Sequence, residues 1–343
     1  MSDAYIAPVR WDDRSAMAAV DALLEGEGIR RDAHLDYTCA IFDARGRMLA
    51  TGSCYRNTLR CFAVSAAHRG EGLMNQLLTH LIHYQADRGI FHLFLYTKPE
   101  TAELLNTLGF YEIARVPGRL VFMENRRRGF ADYLQTLAAS RRDGSSAAIV
   151  MNANPFTLGH RYLVEQAAAS CENLHLFIVS EDLSEIPFRD RKAMVARGTA
   201  DLPNVVLHDC GPYLISAATF PSYFLKDVND QTECQARLDA EVFKAIAGAL
   251  NITERWVGDE PDSRVTALYN RIMGEALPTA GIRCTVLPRK EANGTPISAS
   301  AVRACLRRGD FDAIKTMVPA STLAYLTGPQ GDALRHRLTE TAE

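Results

Sequence analysis

Three short stretches of this chain carry residue types whose spacing suits chemistry on anions. In the first, the apolar run Ala147-Ala148-Ile149-Val150-Met151 reads as a buried strand and breaks at Asn152-Ala153-Asn154-Pro155. Phe156 and then Thr157-Leu158-Gly159-His160 follow, opening an alanine-rich amphipathic helix. A strand, a short loop and a helix start present unpaired backbone N–H groups and a partial positive charge to a phosphate, and His160 is placed to add one more hydrogen bond. The second stretch, Ile297-Ser298-Ala299-Ser300-Ala301-Val302-Arg303, also opens a helix, and on its own Ser298 and Ser300 read as capping residues. The third is Arg69-Gly70-Glu71-Gly72, between an apolar strand and a leucine-rich helix. Its two glycines let backbone N–H groups converge on phosphate oxygens, and Arg69 adds charge.

The elements that must hold these groups follow from the patterning. The chain has 343 residues, enough for two domains each with its own core. Its hydrophobic content of 47% and charged content of 23% are those of a globular protein. The net charge of −3 gives no footprint for nucleic acid or for a membrane surface. No apolar run nears the roughly 18 residues of a spanning helix, and the first residues do not begin a signal peptide, so a cytoplasmic protein is expected. Eight scattered cysteines form no C-x-x-C pair and read as reduced thiols. His80 and His83, three apart on one helix, read as a solvated face rather than half of a metal site.

From residue 14 a helix precedes three strands (37–42, 48–53, 59–64), the leucine-rich helix from 73, a strand (91–96), a helix (99–107) and a strand pair ending near Met123. Residues 129–146 are expected to link this first domain, 1–128, to a second, 147–343. There strands alternate with helices, which implies a parallel sheet with ligands at the carboxyl ends of its strands. His160, Ser180, Asp209 and Asp259 all stand just beyond strand ends and could share one cleft.

Arg-Gly-x-Gly before a helix, followed by Leu108-Gly109-Phe110-Tyr111-Glu112, resembles the N-acetyltransferase superfamily, in which that turn holds the pyrophosphate of coenzyme A. Met74 departs from it, standing where that pattern has a small residue. Thr157-x-Gly159-His160 paired with Ile297-Ser298-x-Ser300-x-x-Arg303 resembles the two signatures of the nucleotidyltransferase superfamily, which embrace a triphosphate. The fold class expected is therefore α/β: an acetyltransferase-like α+β domain, then a Rossmann-like nucleotidyltransferase domain with a parallel sheet. Val179-Ser180-Glu181-Asp182, Pro187-Phe188-Arg189, the aromatic segment 213–224, Val257-Gly258-Asp259-Glu260-Pro261 and Tyr269-Asn270 extend the resemblance to the citrate lyase ligase family over nearly the whole chain.

That resemblance implies an enzyme, an ATP-dependent ligase forming AMP and pyrophosphate. It would activate acetate as acetyl adenylate and acetylate the thiol of a phosphopantetheine-type prosthetic group on the citrate lyase acyl-carrier subunit. Magnesium is expected with the ATP phosphates. The competing expectation is an adenylyltransferase acting on a phosphopantetheine-like or nucleotide precursor, with a coenzyme A-sensing first domain. The candidate catalytic residues are His160, Thr157 and Arg303. The candidate nucleotide-binding residues are Asn152, Asn154, Phe156, Gly159, Arg191, Gly258, Asp259, Ser298 and Ser300, and Arg69, Gly70 and Gly72 are candidates for the carrier arm or coenzyme A. Two assignments stay open: Arg189 and Arg191 are either a solvated helix start or phosphate ligands, and Asp259 either caps the next segment or meets ribose or magnesium.

Overall fold

The computed structural model describes residues 4–180, 184–214, 220, 228–259, 264–292 and 295–340. The chain divides into two compact units, Met1–Ala131 with Thr219–Leu238, and Asp132–Ala218 with Asp239–Glu343. The break at Ala131 falls inside the stretch expected to be a linker, which itself holds helix α4 (Gly129–Ala138). No pattern in the sequence separates Thr219–Leu238 from the second domain. Within the first unit Arg119 pairs with Asp230 and Phe220 meets the Tyr96 ring edge-on.

In the first unit a seven-stranded sheet runs in the order β1-β2-β3-β4-β5-β7-β6. Its strands are β1 (Tyr5–Pro8), β2 (Tyr37–Phe42), β3 (Met48–Tyr55), β4 (Thr58–Val64), β5 (Phe94–Thr97), β6 (Tyr111–Val116) and β7 (Leu120–Glu124). The strands alternate small and branched residues toward two cores. Helix α1 (Arg14–Gly26), capped by Asp13, packs Met17, Val20 and Leu24 against Ala40, Cys61 and Ala63. Helices α2 (Leu73–Asp87) and α3 (Pro99–Thr107) cover the other face, with Leu77, Leu78, Leu81 and Leu105 against Cys39, Ile41 and Leu59. β4 and β5 form a parallel pair in an otherwise antiparallel sheet, and they pair only at Thr58–Leu59 with Phe94–Leu95. Beyond that point their pairing ends, and a cleft of about 640 Å³ opens there. β1 and the full length of β3 were not expected, because a four-residue edge strand carries too little alternation to read. The strand expected from Phe91 begins only at Phe94, leaving the Phe91 ring 66% exposed.

The second unit holds a five-stranded parallel sheet, β10-β9-β8-β11-β12, in agreement with the expected Rossmann-like class. Its strands are β8 (Ser146–Met151), β9 (Asn173–Ile178), β10 (Val205–Asp209), β11 (Ile252–Gly258) and β12 (Arg283–Leu287). β8 is central and buried on both faces, which explains its unbroken apolar run. The chain leaves β8 toward β9 and β10 and later returns on the other side through β11 and β12. The order therefore reverses between β8 and β11, the switch point at which such sheets open a crevice.

One face is covered by α5 (Leu158–Ser170), α6 (Phe188–Gly198), α9 (Ala299–Arg308), α10 (Phe311–Met317), α11 (Ala320–Leu326) and α12 (Pro329–Glu340), which pack Val164, Val195, Val302, Ile314, Leu326 and Leu334 against Ile149 and Leu176. On the opposite face Arg255 of β11 is wholly enclosed, paired with Asp239 of α7 (Val228–Leu250) at 3.3 Å and lying over the Phe243 ring. Tyr269 of α8 (Arg264–Ala276) donates to the same Asp239 carboxylate. The short pair β13 (Glu291–Ala292) and β14 (Thr295–Pro296) precedes α9. Among the described residues no helix is long and apolar enough to cross a membrane.

Candidate active site

All five strands of the second unit end on one edge, and the residues following β8 and β11 flank the switch point. After β8 the chain makes the loop 152–156, with Ala153 in the left-handed region at φ 51°, and Thr157 then caps α5. The cap is reciprocal. The His160 backbone N–H donates to Thr157 Oγ1 (3.2 Å), and the Thr157 backbone N–H donates to His160 Nδ1 (3.1 Å), beside which Thr157 Oγ1 also stands at 3.0 Å. Because Nδ1 accepts, the ring proton sits on Nε2. Nε2 has no hydrogen-bond partner among the described residues. Burial of the ring, with the Arg289 charge nearby, lowers the His160 pKa to about 4, so the imidazole is neutral at physiological pH. His160 is therefore a neutral, oriented N–H donor at a helix N-terminus.

The two sequence signatures touch. A Cβ on Gly159 would lie 3.2 Å from the Ile297 carbonyl oxygen and 3.7 Å from the Ile297 Cβ, so only glycine allows this approach without adjustment. Across the same junction Arg303 donates to the Asn154 carbonyl at 2.5 Å. Ser298 caps α9, its hydroxyl accepting from the Ala301 N–H at 3.0 Å, which is the capping role read from the residue alone. Ser300 is exposed and 3.5 Å from the Arg303 guanidinium.

Other candidates take different places from those expected. Phe156 is fully buried: its ring lies where a Cβ on Gly198 would stand 2.7 Å away, and its carbonyl accepts from Thr322. It supports the loop from beneath and stacks near His160 at 6.0 Å, so it is not exposed to a nucleotide. Arg191 is also wholly buried. Its Nε donates to the Ile186 carbonyl (3.0 Å) and its terminal nitrogen to the carbonyls of Asn152 (2.8 Å) and Val179 (2.9 Å) and to Asn152 Oδ1 (2.8 Å). An arginine spent on carbonyls braces the loop and is not available to a phosphate. Arg189 is exposed on the first turn of α6.

Asn152 and Asn154 are tied to the segment 184–186. Asn152 Nδ2 donates to Ser184 Oγ at 3.0 Å, Asn154 Nδ2 donates to Glu185, and the Ile186 N–H donates to Asn154 Oδ1 at 3.2 Å. Gly258 ends β11, and its carbonyl accepts from Asn270. The Asp259 N–H donates to the Leu287 carbonyl (2.9 Å) and its own carbonyl accepts from Arg289 Nε (2.9 Å), leaving the carboxylate without a hydrogen bond among the described residues. Ser180 donates back to the Ile178 carbonyl at 3.5 Å. Asp209 lies on edge strand β10, paired with Lys192 at 2.6 Å, two strands from β8 and thus away from the switch point. Sequence reasoning missed Glu185 and Arg289. Arg289 could have been found, since it directly follows a strand end; Glu185 carries no periodic or motif signal. Glu181, Asp182, Pro261 and most of segment 213–224 lie outside the described residues, although Tyr213, Leu214 and Phe220 are buried.

In the first unit the turn 69–72 lines the cleft beside β4 and β5, together with Met74, Thr97, Lys98 and Leu104. Gly70 and Gly72 adopt φ 84° and 78°, conformations that suit glycine, and Gly72 stands at the N-cap of α2, which therefore has no side-chain cap. Its first N–H groups are thus left for another acceptor. Arg69 pairs with Glu27 at 2.5 Å, and Lys98 donates to the Glu27 carbonyl at 2.6 Å. His80 accepts or shares a proton with Tyr37 at 2.7 Å. Among the described residues no cluster of three or more histidine, cysteine or acidic side chains is placed to hold a metal.

Comparison with known proteins places this chain in a family. The family model for the citrate lyase ligase C-terminal domain matches residues 146–326. Over 328 residues the chain is 41% identical to the citrate (pro-3S)-lyase ligase of Escherichia coli, covering 93% of this chain and 92% of that protein. The protein of the same name from Klebsiella pneumoniae is 40% identical, with 92% and 93% covered, and that from Haemophilus influenzae 37%, with 92% and 96% covered.

Proposed function

The chain belongs to the citrate lyase ligase family, and on that premise we propose that it is the ATP-dependent ligase that activates citrate lyase by acetylating its acyl-carrier subunit. A carboxylate oxygen of acetate attacks the α-phosphorus of ATP and pyrophosphate leaves. The prosthetic-group thiol then attacks the carbonyl carbon of the acetyl adenylate, a proton leaves the sulfur, and AMP departs. The observation that supports the residue-level reading is the junction of Gly159 with Ile297 and of Arg303 with the Asn154 loop, which brings both signatures together, as a shared anion site would require.

In this reading His160 Nε2–H and the first N–H groups of α5 donate to phosphate oxygens as charge shifts toward the leaving pyrophosphate. Thr157 fixes the His160 tautomer, and Arg303 holds the loop and the phosphates together. Magnesium, bound to the triphosphate with Asp259 as the free carboxylate at the switch point, would supply counter-charge. Arg69, Gly70, Gly72 and the uncapped start of α2 take the pyrophosphate of the carrier's arm. We place the enzyme in the cytoplasm, a reading supported by eight free cysteines, six of them buried.

The test is acetate-dependent exchange of labelled pyrophosphate into ATP. His160→Ala is expected to reduce exchange at least about 100-fold, the scale of losing one oriented donor to a developing charge, while the fold persists. Exchange unchanged in that variant would remove His160 from the chemistry. A stable dinucleotide formed without acetate or carrier would favour the adenylyltransferase instead.

A further inference from the structure

The candidate triphosphate site contains an acid where a phosphate would be expected. Glu185 follows β9 and stands against α9, its carboxylate 3.3 Å from Arg303 Nε and hydrogen-bonded by Asn154 Nδ2. The segment around it is held on both sides, by the Ser184–Asn152 pair and by the Ile186–Asn154 bond, so its position is built rather than incidental. Arg307 lies four residues beyond Arg303 on α9, one turn along the same helix face. It is exposed and makes no hydrogen bond among the described residues. Although partial burial pushes the Glu185 pKa up, its own backbone N–H, Asn154, Arg303 and Arg307 together bring it below the usual carboxylate range. The neighbouring Arg308 carries the same charge in the same last turn but donates to Cys305 Sγ at 3.3 Å.

We propose that Glu185 is an internal stand-in for polyphosphate, holding the α9 arginines until ATP displaces it, and that Arg307 is a second phosphate-binding residue beside Arg303. This rests on the ligase reading for the identity of the ligand. A carboxylate with a single charge neutralises one arginine. A triphosphate with about four charges satisfies both arginines and still leaves oxygens for His160 and the N-terminus of α5, so the exchange favours ATP. A monoanion gains nothing over Glu185. That matters here because acetate, a substrate of this enzyme, is such an anion and would otherwise compete for the phosphate arginines.

The experiment is equilibrium binding of magnesium-ATP to the full chain without acetate, together with acetate-dependent pyrophosphate exchange. Arg307→Ala is expected to weaken ATP binding about 3- to 10-fold, the range for one charged contact at a partly exposed site. Arg307→Lys should recover most of that loss. Arg308→Ala, which removes the same helix-end charge, should stay within about twofold. Glu185→Gln keeps an acceptor for Asn154 and is expected to tighten ATP binding about 2- to 5-fold, an advantage that added acetate erodes. Arg307→Ala within twofold of wild type, equal losses for Arg307→Ala and Arg308→Ala, or weaker binding by Glu185→Gln would overturn the proposal. If the binding pattern holds but wild-type exchange does not depend on acetate, the ligase reading fails and this one stands. Wild-type protein that binds no ATP overturns both.

Discussion

Replacing Gly159 by alanine tests whether the two signatures act as one site. The added Cβ would stand 3.2 Å from the Ile297 carbonyl oxygen and 3.5 Å from Thr157 Oγ1, so Ile297 must retreat by a few tenths of an ångström. Two stability effects oppose one another. Alanine gains up to about 1 kcal/mol over glycine within a helix, and overpacking costs about 1–3 kcal/mol. The net change is therefore expected to be a loss of at most about 3 kcal/mol, a shift of up to several degrees in melting temperature. Activity is affected differently, because Ile297 leads directly into the Ser298 cap and Arg303. Misplacing reacting groups by about 1 Å can cost about 100-fold, so a shift of a few tenths predicts roughly a 5- to 20-fold loss in acetate-dependent exchange. Melting temperature and exchange rate are measured on the same preparation. Exchange within twofold of wild type, with the fold intact, would refute the claim that this contact sets the geometry of the site.

Arg191→Leu should cost about 2–4 kcal/mol in chemical denaturation, since it strands the buried Ile186 carbonyl and removes the bonds to the partly exposed carbonyls of Asn152 and Val179; a loss under about 1 kcal/mol would show that the loop does not need its brace. Arg69→Ala should weaken capture of the carrier or of coenzyme A about 3- to 10-fold and leave pyrophosphate exchange unchanged; parallel loss of both half-reactions would argue against separate roles for the two units. The buried pair His175 and His208, 2.9 Å apart, is held neutral by burial, each pKa lowered to about 4. The unfolded chain takes up protons as pH falls from about 6.5, while the native pair resists them. Stability is thus fully present above pH 6.5 and lost as pH drops toward 4, by at most about 3 kcal/mol per histidine, and His208→Gln should flatten this slope in denaturant midpoints at pH 7.5 and 5.

Much of this was legible because its signals are local. The run at 147–151 is apolar throughout because β8 is buried on both faces, and the Thr157 cap and the Gly70–Gly72 turn are written in residue types with narrow backbone preferences. What was not legible depends on long-range packing. Phe156 adjoins a signature and Arg191 opens a helix, and both were read as ligand contacts, yet one fills the core beside Gly198 and the other crosses to three carbonyls. A single sequence does not distinguish a residue that touches the ligand from one that holds the loop that does. Asp209 shows the same limit for topology: alternation places it at a strand end, but only the strand order places that strand at the edge. Glu185 was invisible because its partners, Asn154 and Arg303, are 31 and 118 residues away in sequence.

Both units resolve one physical problem in the same way. An arginine that serves a phosphate is also open to every carboxylate in solution, and in the reading proposed above each such arginine is paired with one of the protein's own acids: Arg69 with Glu27, and Arg303 with Glu185. Partly exposed ion pairs of this kind are worth about 1 kcal/mol, so the closure is too weak to exclude a true ligand. It is strong enough to cancel the advantage of a monoanion, whose own pair with the arginine is worth no more. Discrimination then depends on charge density and on donors that the internal acid cannot use. Those donors are the uncapped N–H groups of α2 in one unit, and His160 Nε2–H in the other. A pyrophosphate or triphosphate engages the arginine and these donors together, whereas a carboxylate replaces only the acid. Under the function proposed above, acetate would thus serve as a substrate without filling the sites assigned to phosphates.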